Sequence, residues 1–327
     1  MIIITGGAGF IGSNLAAALD ERGTRDLVIC DRLEQGDKWR NLAKRELAAV
    51  VPPEALPAFL EAHTREIDAV FHLGAISSTT ERDADRMIEN NFALSCQLWD
   101  WCTDTATRFI YASSAATYGD GSGGFDDDGS VAALARLRPL NLYGWSKHLF
   151  DRRVARLIER QAGRPPQWTG LKFFNVYGPN EYHKGPMRSV AAQIFDRARA
   201  GEPCRLFRSH RADVPDGGQC RDFVSVRDGV DMLLWLYDHH TSGLFNIGSG
   251  RARSFADLAA AVYRALDREP RIEFVDTPIE IRDKYQYFTE ARIDRLRAAG
   301  YTQPTTSLED GVRDYVQTYL AAADPYR

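Results

Sequence analysis

The chain opens on an unbroken apolar run at 2–4, passes through a glycine-rich turn, and continues from Ser13 to Leu19 with the apolar spacing of a helix. Short apolar runs bounded by turn residues predict buried strands, and longer stretches with apolar residues three and four apart predict helices packed on them. Further strands are expected at 27–30, 69–73, 108–112 and 170–174, with helical stretches near 54–63, 84–103 and 142–161 between them. Alternation at this spacing predicts an α/β chain built on a Rossmann-type, doubly wound parallel sheet. Past residue 178 the texture becomes irregular and punctuated by proline. A helix is expected near 187–200, a long polar loop from Ser209 to Arg221, a strand at 222–226, a helix near 227–238, a strand at 244–247 and helices near 255–266 and 307–322. The chain is therefore expected to divide into a dinucleotide-binding domain at 1–175, which segments near 221–250 rejoin, and a smaller mixed α/β substrate domain formed mainly by 176–327.

Ligands of such sheets bind beyond the carboxyl ends of the strands. That rule selects 74–80, Ser113, Ser114 and 175–178 as the lining of a site, and the irregular region after 178 as the place for a substrate lid. The acidic, glycine-rich stretch 121–129 is expected to be a solvated loop, and His239-His240 to mark a helix end rather than a metal site.

Composition narrows the class. Lys and Arg number 41 and Asp and Glu 45 among 327 residues, a net charge of −4, so no basic footprint points to nucleic acid or an anionic membrane. No apolar run reaches the length of a membrane span, and the start has the pattern of a strand rather than of an export signal. Five cysteines, with no Cys-x-x-Cys pair, fit reduced thiols in a cytoplasmic protein.

The candidate chemistry begins at Thr5-Gly6-Gly7-Ala8-Gly9-Phe10-Ile11-Gly12. Strand, glycine turn and helix start in that order form a cradle for a dinucleotide pyrophosphate. Gly7, Gly9 and Gly12 satisfy one spacing of the fingerprint, and Gly6, Gly9 and Gly12 its variant. Asp31, at the end of the second strand, is placed to accept hydrogen bonds from the adenosine ribose, which favours NAD. Arg32 and Lys38 follow, and cations are what a 2′-phosphate needs, which favours NADP. Local chemistry leaves both open. Tyr143 and Lys147 lie one helical turn apart, so the ammonium can sit near the phenolic oxygen and favour its ionised form. A phenol so tuned, beside an oxidised nicotinamide, could exchange a proton with a substrate alcohol during hydride transfer.

The glycine turn, the serine of Ala112-Ser-Ser-Ala-Ala-Thr-Tyr-Gly119 and the Tyr143/Lys147 pair together resemble the extended short-chain dehydrogenase/reductase family of nucleotide-sugar enzymes, over essentially the whole chain. Ala75 with Ser77-Ser-Thr-Thr-Glu81, Asn90-Asn91, Phe174-Asn-Val-Tyr-Gly-Pro179, His183-Lys-Gly185, 245–251 and 285–289 are similar to its ADP-heptose 6-epimerase branch. The resemblance implies a homopentameric, NADP-dependent isomerase that interconverts ADP-D-glycero-β-D-manno-heptose and its L-glycero epimer at C6″, in assembly of the lipopolysaccharide inner core. It also implies transient oxidation: hydride leaves C6″ for the nicotinamide, the ketone turns its other face, and the same hydride returns. Such a route needs an acid/base on each face and an anchor for the ketone oxygen.

By this resemblance Tyr143 and Lys184 are the two acid/base residues, Ser114 bonds the reacting oxygen, and Lys147 holds the nicotinamide ribose and tunes Tyr143. The cofactor residues implied are Gly6, Gly9, Phe10, Ile11, Gly12, Asp31, Arg32, Lys38, Leu73, Gly74, Ala75, Ser77, Asn90, Lys147, Val176 and Lys184, with Arg32 and Lys38 neutralising the 2′-phosphate. The substrate residues implied are Ser77, Ser114, Asn175, Pro186, Gln193, Phe207, Arg208, Ser209, His210, Arg221 and Tyr285, with Arg221 a fork for the ADP pyrophosphate. No metal is implied. Two features depart from the pattern: the stretch from Ser209 to Arg221 is longer than usual, and Leu73 stands where many relatives carry glutamate. A sugar-nucleotide 4,6-dehydratase would need an acidic pair where Ala115-Ala116 stand, and a UDP-sugar 4-epimerase would need no second base. A non-catalytic NADP-binding regulator would not need Tyr143, Lys147 and Ser114 together.

Overall fold

The computed structural model of the protein describes residues 1–282 and 285–327. Its strands are β1 (Ile2–Thr5), β2 (Leu27–Cys30), β3 (Ala49–Val51), β4 (Ala69–His72), β5 (Arg108–Ser114), β6 (Trp168–Phe173), β7 (Asn175–Tyr177), β8 (Cys204–Phe207), β9 (Cys220–Ser225), β10 (Gly243–Ile247), β11 (Ala252–Ser254) and β12 (Ile272–Val275). Its α-helices are α1 (Phe10–Glu21), α2 (Leu56–Ala62), α3 (Ala84–Met87), α4 (Leu94–Asp104), α5 (Val131–Leu134), α6 (Leu142–Glu159), α7 (Val190–Arg199), α8 (Val226–Asp238), α9 (Phe255–Ala265), α10 (Ile279–Arg282), α11 (Asp294–Ala298) and α12 (Leu308–Asp314). Seven strands form one sheet in the order β10-β6-β5-β4-β1-β2-β3, with every pairing parallel. The order reverses beside β1, so its carboxyl end faces the crevice where a doubly wound sheet binds its ligand.

Alternation along the strands distributes the core. Ile4, Ile29 and Phe71 pack with Leu15, Leu19 and Leu233 on one face. Ile3, Val28, Val70 and Phe109 pack with Leu98, Trp99, Phe150 and Val154 on the other. Sheets buried on both faces require such continuous apolar strands. A separate apolar cluster, including Phe195, Val262 and Val312, joins α7, α9 and α12 beside the small sheets β11-β9-β7 and β12-β8.

Three segments differ from the expectations. Asn175–Tyr177, expected only as site lining, forms a strand that pairs in parallel with β9 through Asn175 and Phe223 while Asn175 stays exposed. The strand expected to begin at 222 begins at Cys220, so Arg221 leaves the long polar loop and sits on a rigid element. The stretch 121–129 is not merely solvated: Phe125 and Asp127 are buried. Asp127 accepts the Asn246 backbone N–H at 2.9 Å, and the Phe125 carbonyl accepts the Asn246 side-chain amide at 2.7 Å. Two bonds from Asn246 on the sheet's edge strand β10 thus outweigh the loop composition.

The glycine turn is set by close contact. Gly6 has φ +66°, and a Cβ there would lie 2.5 Å from Gly74 Cα; a Cβ on Gly12 would lie 2.2 Å from the Gly6 carbonyl oxygen. Gly12→Ala must therefore push α1 off β1, at a cost of about 1–3 kcal/mol. A lower urea midpoint together with weaker dinucleotide binding is expected; unchanged values for both would contradict this packing.

Candidate active site

Gly9 precedes α1 in extended conformation, and among the described residues no side chain caps the helix. Its first amides are open to an anion, and the glycine contacts let that anion approach the backbone. The cradle fits a dinucleotide pyrophosphate. At its adenosine side, Asp31 accepts hydrogen bonds from Ala8 N–H at 2.9 Å, Arg32 N–H at 2.7 Å and Lys38 Nζ at 2.8 Å. Lys38 also donates to the Arg32 carbonyl at 2.8 Å. The Arg32 guanidinium points away from Asp31 and pairs with Glu54 at the surface. Asp31 is thus already neutralised by Lys38, while Arg32 stays half-exposed.

A buried polar chain runs from this cradle to the helix that carries Tyr143. Gly74 N–H donates to Thr5 Oγ1 at 3.2 Å, and Thr5 Oγ1 lies 2.7 Å from His72 Nδ1. His72 Nε2 lies 2.9 Å from Ser95 Oγ, which donates to the Asn91 carbonyl at 2.7 Å. Burial and the nearby Lys147 ammonium push His72 down to about 3, so the ring is neutral. Because the Ser95 hydroxyl spends its proton on Asn91, it must accept from Nε2–H, which leaves Nδ1 to accept from Thr5. Asn91 then holds the Ile76 N–H and carbonyl at 2.8 and 2.9 Å, and donates to Ser146 Oγ at 3.0 Å. Ser146 donates onward to the Tyr143 carbonyl at 2.8 Å. The cradle, the loop after β4 and α6 are therefore joined by side-chain bonds. Asn91 lies within a π-helical turn at Ile88–Ala93, a backbone irregularity that often marks functional sites.

Tyr143 and Lys147 share one face of α6, whose start is capped by Asn141 accepting from Gly144 N–H. The Lys147 ammonium does not pair with the phenol: it donates to the Ala112 carbonyl at 2.8 Å. Burial pushes Lys147 down to about 8, and Asp151, one turn further along α6, pulls it back up. Burial raises Tyr143, and a hydrogen bond with Ser114 works against that rise. Ser114 also accepts from Ala116 N–H at 3.1 Å, capping the turn after β5. Beneath this face lies a buried ion pair. Lys172 on β6 sits 3.1 Å from Asp151 Oδ2, and both side chains are wholly enclosed. Ser113 and Tyr111 donate to the same carboxylate at 2.7 and 3.2 Å.

Lys184 lies in the turn Tyr182–Met187, its ammonium 5.4 Å from the Phe10 ring centroid at the mouth of α1. Burial lowers its pKa, and Glu181 opposes the change. Gln193 ties this turn to α7 by donating to the Pro186 and Arg188 carbonyls at 3.2 and 2.9 Å. Among the other residues named from sequence, Phe10 is buried and Leu73 and Val176 are partly buried against the main core. Ile11, Gly74, Ala75 and Asn90 are partly exposed, and Ser77 and Asn175 are open to solvent. Asn90 turns back to the Arg86 carbonyl at 2.8 Å.

Arg221 gathers a second group. It is 8% exposed, 5.5 Å from the Phe255 ring centroid and 5.2 Å from that of Tyr285. Phe207 meets Tyr285 edge-on at 5.7 Å. Arg208 stands 3.7 Å from Asp276, Ser209 N–H donates to Asp216 at 2.8 Å, and His210 N–H donates to Tyr287 Oη at 2.8 Å.

The sequence model of the NAD dependent epimerase/dehydratase family matches residues 2–248. A protein of Nitratidesulfovibrio vulgaris named ADP-L-glycero-D-manno-heptose-6-epimerase is 50% identical over 329 residues, covering 100% of both chains. One of the same name from Fusobacterium nucleatum subsp. nucleatum is 46% identical over 335 residues, again covering 100% of both. This chain belongs to the NAD dependent epimerase/dehydratase family. The Helicobacter pylori ADP-L-glycero-D-manno-heptose-6-epimerase structure superposes with a TM-score of 0.79 at 27% identity, covering 98% of this chain and 96% of that one. The fold is shared with Thermus thermophilus UDP-glucose 4-epimerase complexed with NAD, at a TM-score of 0.77 and 24% identity, covering 98% and 99%.

Sequence reasoning about this epimerase-family site passed over His72, Asp151 and Lys172. Asp151 had a signal, since it continues the four-residue spacing from Tyr143 through Lys147. Asp151→Asn removes the charge that raises Lys147 and leaves Lys172 unpaired, and both changes favour the neutral amine. The alkaline limb of the pH–turnover profile is therefore expected to move to lower pH, with a stability loss of about 3–5 kcal/mol from the orphaned ammonium. A limb that stayed in place or moved up would contradict this coupling.

Proposed function

We propose that this chain is an ADP-heptose 6-epimerase. It interconverts ADP-D-glycero-β-D-manno-heptose and ADP-L-glycero-β-D-manno-heptose by transient oxidation at C6″, as a step towards the lipopolysaccharide core. Full-length relatives of that name support the reading. The observation that carries its nucleotide end is Arg221, whose guanidinium donates to the Cys220 carbonyl at 2.8 Å and, among the described residues, has no other hydrogen bond and no carboxylate within ion-pair reach. A guanidinium buried between aromatic rings is completed by an anion. A diphosphate supplies it, and the rings of Phe207 and Tyr285 offer flat apolar surface to the rest of the nucleotide.

The residues around the glycine turn fit a nicotinamide dinucleotide, held at Gly6, Gly9 and Gly12 and, on its ribose, by Lys147. When bound, that cofactor supplies the acceptor that takes the C6″ hydride and gives it back. Tyr143, hydrogen-bonded to Ser114, accepts the hydroxyl proton on one face of C6″, and Ser114 holds the oxygen while it is a carbonyl. Lys184 serves the other face: burial lowers its pKa, so its amine gives up and takes back a proton more readily than a solvated lysine. Two acid/base groups on separate elements let a ketone turn between them without moving the protein. NADP is the form favoured, since Lys38 already neutralises Asp31, and Arg32, the next residue, carries a half-exposed guanidinium held, among the described residues, only by a surface pair with Glu54. The division into a cofactor unit at 1–175 and a substrate unit at 176–327, a homopentameric assembly and a cytoplasmic location complete the proposal.

Incubating the protein with the D-glycero sugar nucleotide and following the L-glycero product by NMR tests it. Tyr143→Phe and Lys184→Met are each expected to lower turnover by roughly 100-fold or more, and cofactor released from the same preparation by acid is expected to be NADP. Wild-type turnover of Lys184→Met in both directions would remove the second acid/base; turnover of UDP-galactose instead of the heptose would remove the substrate assignment.

A further inference from the structure

Residues 324–327 lie across two parts of the proposed site. Tyr326 is buried, with its ring edge-on to Tyr182 at 5.3 Å and the Arg40 guanidinium 4.5 Å from its centroid. Tyr182 Oη donates to the Pro325 carbonyl at 2.8 Å, and Arg327 N–H donates to Asn180 Oδ1 at 3.0 Å. The Arg327 guanidinium pairs with Glu21 of α1 at 2.8 Å, and Lys44 pairs with Asp324 at 2.8 Å while also donating to the Tyr326 carbonyl. Asn180 and Tyr182 lead into the turn that carries Lys184. Arg40 belongs to the short 3-10 turn Asp37–Asn41 that carries Lys38.

The same two segments meet inside the fold. The buried Asn41 amide donates to the Ala8 carbonyl at 2.8 Å and the Asn180 carbonyl at 3.0 Å, and lies 3.3 Å from His183 Nδ1. Asn180 has φ +72° and donates to Ser13 Oγ of α1 at 3.1 Å. Gln193 and the buried Glu181, which accepts from Ser189 and Tyr315, hold the two ends of the turn, but His183, Gly185, Pro186 and Met187 within it are exposed. A turn with so few buried contacts opens easily unless something covers it.

We infer that Tyr326 and Arg327 are positioning residues for Lys184: the tail clasps the Lys184 turn and the Lys38 turn together against the cofactor cradle. This rests on the reading of Lys184 as the second acid/base. A proton-transfer group displaced by about 1 Å loses on the order of 100-fold in rate, so a clasp outside the site can set the rate within it. The ring of Tyr326 makes the packing contacts, and its hydroxyl is not part of them.

The test pairs the double variant Tyr326→Ala/Arg327→Ala with Tyr326→Phe and Lys184→Met. In the double variant, amide hydrogen exchange across 180–188 is expected to quicken, kcat to fall about tenfold or more, and KM for the sugar nucleotide to change by less than about threefold. Tyr326→Phe is expected to keep wild-type exchange and kcat. Unchanged exchange across 180–188 in the double variant overturns the clasp. Faster exchange with wild-type kcat, while Lys184→Met is inactive, overturns the positioning role. If Lys184→Met is itself fully active, the second acid/base reading has failed and exchange alone decides the clasp.

Discussion

The site depends on a contact between two backbones at the carboxyl edge of β1. Gly6 lies against Gly74, and Gly12 lies against the Gly6 carbonyl, at distances that exclude a side chain. That contact brings the first turn of α1 up to the end of the sheet with its amides uncovered, and sets the loop after β4 beside it. Thr5, one residue earlier, turns the contact into a polar connection, because its hydroxyl takes the Gly74 N–H and is itself held by His72. From there Ser95, Asn91 and Ser146 carry the connection to the backbone of Tyr143. The glycine cradle and α6 are thereby fixed relative to each other by side-chain bonds.

Electrostatics then divide the labour. The enclosed Lys172–Asp151 pair sits below α6, where removing either partner would leave an uncompensated charge. Asp151 feeds that charge upward to Lys147, one helical turn away, and Lys147 is drawn to the Ala112 carbonyl. Burial raises the Tyr143 phenol, and its bond with Ser114 opposes that rise. Lys184, beside Phe10 at the start of α1, is carried by a different part of the chain, the turn Tyr182–Met187. The two groups proposed as acid/bases are thus each tuned by their own surroundings.

Much of this was legible in the residues. The run at 2–4 followed by the glycine turn identified β1, the cradle and α1, because a continuous apolar strand and a close backbone approach each leave a compositional mark. Tyr143 and Lys147 were legible through their spacing. The strand β7 was hidden because three residues give no periodicity, and its pairing with β9 is a tertiary fact. The burial of Phe125 and Asp127 was hidden by the glycines and acids around them, which have the pattern of a solvated loop until Asn246 is seen to need their partners. The direction of the Lys147 ammonium could not be read from spacing, because the Ala112 carbonyl that captures it lies on a strand 35 residues earlier.

The central claim is that C6″ loses and regains one and the same hydride, while Tyr143 and Lys184 exchange protons only with oxygen. Epimerisation carried out in D2O tests this directly. Product NMR is expected to show no deuterium at C6″, since the hydride never meets solvent; deuterium at C6″ would mean that a base removes a proton from carbon, and would contradict the account.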